Sequence, residues 1–147
     1  MTSLRVRLHP VPRLLAGFLM YPWPETVGIW ERLRELLADS SDELTVQTGV
    51  LSGPEGAPML LVSPCWSGDP AVGEQHIDDV RELGNPVVSQ VAAMTHGEML
   101  RLWDAHVVTE NHYALGTRSV AEFTPGVIAA LVHAGAHRTA PHRCRLC

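Results

Sequence analysis

The side chains with the most chemical reach stand near the end of the chain, where His142, Cys144 and Cys147 follow His133 and His137. A Cys-x-x-Cys pair is half of a closed zinc site, which takes four ligands and so needs a second pair. His133 and His137 are four residues apart, on one face of a helix, so a composite site with the cysteines is conceivable. The plainer reading is two cysteines in an apolar strand beside surface histidines, because isolated Cys-x-x-Cys matches arise by chance. A redox role lacks the strand-to-helix setting in which such a pair works. Cys65, between Pro64 and Trp66, reads as a buried small hydrophobe. None of the eight histidines falls in a visible Ser-His-Asp or Cys-His arrangement. Gly53-Pro54-Glu55-Gly56 is a loop, since its proline removes an N–H that a phosphate nest needs. No catalytic, cofactor-binding or metal-ligating residue is assigned on these grounds.

The elements that would position such residues are clearer. Leu4, Val6 and Leu8 alternate with Ser3, Arg5 and Arg7, the pattern of a half-buried strand. Leu14 to Tyr21 reads as a more central strand. A helix over Thr26 to Ala38 follows, with Val27, Trp30, Leu33, Leu36 and Leu37 on its apolar face. β-branched residues enrich Leu44 to Leu51, and a loop over 52–58 turns it back on the apolar run Met59 to Val62, predicting an antiparallel pair. Asp69 caps a helix with Pro70 at its first position, and Val72, Ile77, Val80 and Leu83 face inward until Gly84-Asn85-Pro86 ends it. Val87 to Met94 is extended. Thr95 caps a short helix carrying Met99, Leu100, Leu102 and Trp103. Tyr113 to Val120 is a further strand candidate, and Thr124-Pro125 opens a helix with Val127, Ile128, Leu131 and Val132.

At 147 residues the chain is expected to be one domain with a core of its own. Apolar content of 46% with 18% charged residues is that of a globular protein. The net charge of −5 gives no basic footprint, which argues against nucleic acid. All eleven cations are arginine, a preference that fits codon bias. No signal peptide or membrane-length apolar run is seen, and three cysteines make no secreted disulfide framework, so a reduced cytoplasmic location is expected.

The order of strand, Trp66-Ser67-Gly68-Asp69, acidic helix ending in Leu83-Gly84-Asn85-Pro86, then Val87-Val88-Ser89-Gln90-Val91-Ala92-Ala93-Met94 resembles the substrate domain of FAD-linked oxidases of the berberine-bridge-enzyme type. The opening Thr2 to Val11 resembles the strand after the last flavin-contacting glycine motif of that family, and the likeness runs along most of the chain. It implies an α+β fold, an antiparallel sheet of about five or six strands with helices packed on one face. The other face would cover the substrate cavity above the flavin. Strand parity then nominates Thr45 and Gln47, and Tyr113 and Thr117, as substrate-facing. His96 stands where relatives often carry an aromatic residue. The resemblance implies FAD in the intact family, with little or none bound by this chain alone. The implied partners are a small-molecule substrate and the absent FAD-binding domain. Residues 1–147 would then be one truncated substrate-binding domain, without the family's catalytic base motif and not catalytic alone. Self-association is expected through an uncovered face bearing Leu15, Leu19 and Leu51. A free-standing ligand-binding or dimerising module, and a small metal-binding protein, are the alternatives.

Overall fold

The run LLAGFLMYP forms the first strand, β1 (Leu14–Pro22), in a computed structural model that describes residues 5–7, 13–53, 56–102, 104, 123–137 and 145–146. It is followed by α1 (Thr26–Ala38), β2 (Leu44–Ser52), β3 (Pro58–Trp66), α2 (Pro70–Arg81), β4 (Val88–Met94), α3 (His96–Arg101), α4 (Pro125–Ala136) and the two-residue β5 (Arg145–Leu146). The strands lie in the order β4-β1-β3-β2-β5, and every neighbouring pair is antiparallel. The fold is therefore α+β, as expected, with four long strands and a short edge among the described residues.

One sheet face is the core. Leu19, Tyr21, Val50, Leu60 and Val62 meet Ile29, Trp30 and Leu33 of α1, Val80 of α2 with Leu83 just beyond it, and Ile128 of α4. Leu15, Leu44 and Trp66 enclose Ile77 beside it. Burying a large apolar side chain contributes about 1.5–3 kcal/mol, so this layer is the main source of stability. Two polar links hold it in register. Buried Trp30 donates its Nε1–H to Thr48 Oγ1 at 2.8 Å, and that hydroxyl donates to the Leu61 carbonyl at 2.8 Å. Tyr21 donates to the Val80 carbonyl at 3.1 Å, tying β1 to α2. Asp69 caps α2 by accepting from Ala71 N–H at 2.8 Å. Arg32 of α1 donates to the Leu83 carbonyl just beyond α2.

Several expectations require correction. Arg5–Arg7, the described part of the first expected strand, are irregular, and Val6 is exposed. β3 continues through Pro64 to Trp66 rather than stopping at Val62. Leu15 and Leu19 belong to the helix-covered core, not to the open face. Alternation along β1 sends Leu14, Ala16, Phe18 and Met20 there instead, and the first three are themselves buried, so the centre of that face is not the exposed apolar surface expected. On α1 Ile29 is buried while Val27 is exposed. On α2 Val72 is exposed, and Gly73 faces inward because the Trp66 indole fills the space. A Cβ at Gly73 would lie 2.3 Å from Trp66 Cδ1.

Candidate functional site

Strand parity leaves the second sheet face to Leu14, Ala16, Phe18 and Met20 of β1, Thr45, Gln47, Gly49 and Leu51 of β2, Met59, Leu61, Ser63 and Cys65 of β3, and Val88, Gln90, Ala92 and Met94 of β4. Its centre, Phe18 and Leu61, is buried. Thr45, Gln47 and Gln90 are exposed around it. Thr45 stands opposite Cys65, and Gln47 opposite Ser63. Both nominated β2 residues thus lie on one face, away from α1 and α2. Tyr113 and Thr117 lie outside the described residues, as do His142, Cys144 and Cys147.

A proline shapes the middle of this face. In the β1–β3 register Pro64 falls opposite Gly17 and has no N–H for its carbonyl. The Ser63 hydroxyl donates there instead, at 2.6 Å. Gly17 itself is required by close approach on the β4 side, since a Cβ would lie 1.8 Å from the Gln90 carbonyl oxygen. Gly17 and Pro64 therefore set the spacing of three strands under the polar positions.

At one end α3 reaches over the face. Thr95 and Glu98 form a capping box: the Thr95 hydroxyl accepts from Glu98 N–H at 3.3 Å, and Glu98 Oε2 accepts from Thr95 N–H at 2.7 Å. Hydrogen bonds from the Thr95 backbone and hydroxyl hold the Glu98 carboxyl below its ordinary range. So anchored, α3 brings Met99 Sδ to 3.7 Å from Cys65 Sγ. Cys65 is half-buried rather than buried, and desolvation pushes its thiol pKa up, which favours the neutral form over a nucleophilic thiolate. His96 is exposed at the start of α3.

Met20, Met59 and Met94 lie on this face and Met99 reaches it, all half-buried. The sequence reading missed this group, although strand parity alone would have shown three of its members. Flexible, polarisable thioethers suit an adaptable apolar surface. The strand positions here carry no charged side chain, so the face offers apolar contact plus the uncharged donors and acceptors of Thr45, Gln47 and Gln90. That equipment can position a ring or a small polar molecule. Among the described residues no group of three or more His, Cys, Asp or Glu is arranged to hold a metal ion. No helix among them is long and apolar enough to cross a membrane.

No family model matches the chain. Over 95 residues it is 36% identical to FAD-linked oxidoreductase aurO of Gibberella zeae, a match covering 61% of this chain and 18% of that protein. Its structure resembles that of 6-hydroxy-D-nicotine oxidase from Arthrobacter nicotinovorans, with a TM-score of 0.56 and 25% identity over 67% of this chain and 22% of the other. The chain thus spans about a fifth of the length of these relatives.

Proposed function

We propose that this chain is the substrate-domain portion of an FAD-linked oxidase of the berberine-bridge-enzyme type, with its open sheet face turned toward the flavin and the substrate. The observation that carries the reading is a similarity to an FAD-linked oxidoreductase over 95 residues that amount to only 18% of that protein.

The described residues fit a ring or a substrate better than the pyrophosphate of a dinucleotide. The open-face strand positions carry no cation, and the N-terminus of α2 is taken by the Asp69 carboxylate. The reading therefore assigns the dinucleotide to a separate FAD-binding lobe, the partner of this domain. When bound, the flavin supplies a hydride acceptor for oxidation of a substrate carbon. Thr45 and Gln47 would hydrogen-bond polar atoms of a small-molecule substrate, while the half-buried methionines would form an apolar wall beside them. Orientation of this kind lowers a barrier without the chain contributing a base.

A segment exchange tests the reading. The matching 95-residue segment of aurO is replaced by that of this chain, and both the chimera and the isolated chain are purified. The chimera is expected to hold FAD through gel filtration, whereas the isolated chain elutes colourless. A folded chimera without flavin, or an isolated chain retaining a flavin absorbance band, would contradict the proposal.

A further inference from the structure

We propose that His133 and His137 form a two-point chelate for a divalent transition-metal ion of the Zn²⁺, Ni²⁺ or Cu²⁺ class, on a surface separate from the open sheet face. The two residues are four apart in the last turn and C-cap of α4. Both are exposed, and their rings stack with centroids 4.2 Å apart and planes 29° apart. Two nitrogens bound to one zinc ion at about 2.1 Å stand about 3.4 Å apart in a tetrahedral shell. Stacked rings direct their in-plane lone pairs side by side, so ligation requires the exposed His133 ring to turn about its side-chain torsions until its lone pair meets that of His137 at the ion.

The hydrogen bonding also favours ligation. His137 Nδ1 lies 2.9 Å from the His133 carbonyl oxygen. A carbonyl only accepts, so in the neutral ring Nδ1 carries the proton and donates, which leaves the lone pair on Nε2. Metal-bound histidines are commonly oriented in this way, one ring nitrogen donating to a backbone carbonyl while the other ligates. The position adds to it, since the C-terminal end of a helix carries partial negative charge and favours a cation. With two protein ligands the other coordination positions belong to water, giving an open, exchangeable site. Imidazole donors favour ions late in the first-row series.

Occupancy would bear on the fold. Gly135, between the two histidines, packs so closely on Trp23 that a Cβ would lie 2.4 Å from the ring. An ion bridging His133 and His137 would pin the turn of α4 that makes this contact. His76, stacked on Trp66 with centroids 4.5 Å apart, stands apart from the pair and serves as the control.

The test is calorimetric titration of the full, untagged chain with Ni²⁺ alone, repeated for His133→Ala, His137→Ala and His76→Ala. A second ligand on the same scaffold binds intramolecularly, so losing either one should weaken the affinity by about a hundredfold. His76→Ala should leave it unchanged, and none of the variants should unfold the metal-free chain. Alkylating the thiols should also leave binding in place. The proposal is overturned if the wild-type chain binds no Ni²⁺, if binding survives both substitutions, or if alkylation abolishes it.

Discussion

The buried side chains that join α1 to the sheet set the energetics at the scale of single residues. Leu33 is 1% exposed, and Leu33→Ala should cost about 2–5 kcal/mol through lost burial and an unfilled cavity. Urea unfolding reads this directly, and a loss within about 0.5 kcal/mol would place Leu33 at the surface. Tyr21 gives a pH signature. Burial, reinforced by the Glu25 carboxylate, pushes its pKa from 10.0 to about 12, against a smaller lowering by Arg32. The folded state thus holds the phenolic proton more tightly than the unfolded state. Its contribution is complete below the unfolded value and is lost as pH rises through the folded one. The unfolding midpoint should therefore fall between about pH 10 and 12, and Tyr21→Phe should flatten that window. An equally steep fall in the variant would assign the effect to other groups.

At the scale of elements, local chemistry and tertiary packing differed in how far the sequence disclosed them. Helix starts were legible because a cap and a proline act on their immediate neighbours: Asp69-Pro70 and Thr124-Pro125 both open helices where expected. Asp69→Ala should cost about 0.5–2 kcal/mol by chemical denaturation. A wild-type midpoint would mean that the Pro70 backbone alone holds the start. The β2–β3 pairing was legible too, because apolar and β-branched runs flank a loop rich in Gly and Pro. Facing was harder. Gly73 packs inward because of an indole from β3, and no periodicity within α2 announces that contact. Pro64 looked like a strand end, but β3 runs past it, helped by the hydroxyl of Ser63. That Thr45 and Gln47 share one face of β2 followed from simple alternation. The reach of Met99 to Cys65 depends on the path of α3 and could not be read locally.

For the whole molecule, the contrast between the two sheet faces is the central feature. One face is packed against α1, α2 and α4, while on the other half-buried methionines and exposed uncharged polar side chains surround the buried Leu14, Ala16, Phe18 and Leu61. At the β4 edge, Arg81 donates to the Val91 carbonyl at 3.4 Å and Arg13 to the Ala93 carbonyl at 2.9 Å. Guanidinium groups so placed oppose edge-to-edge pairing. Self-association of the isolated chain is therefore expected at the half-buried Met20, Leu51, Met59 and Met94, around the buried centre of the second face, rather than along β4. Light scattering should show growth in mass with concentration, and a monomer at about 100 μM would argue against it. The proposed function turns above all on which sheet face would meet a flavin. The most direct measurement is the anaerobic rate of flavin reduction in the aurO chimera, driven by that enzyme's own substrate, with tryptophan placed on either face. Gln47→Trp and Thr45→Trp should slow reduction about tenfold or more while leaving bound FAD unchanged, since misplaced reactants lose rate steeply. Val72→Trp, on the exposed side of α2, should have no effect. Slowing by Val72→Trp with full activity in the two β2 variants would contradict the assignment of the open face.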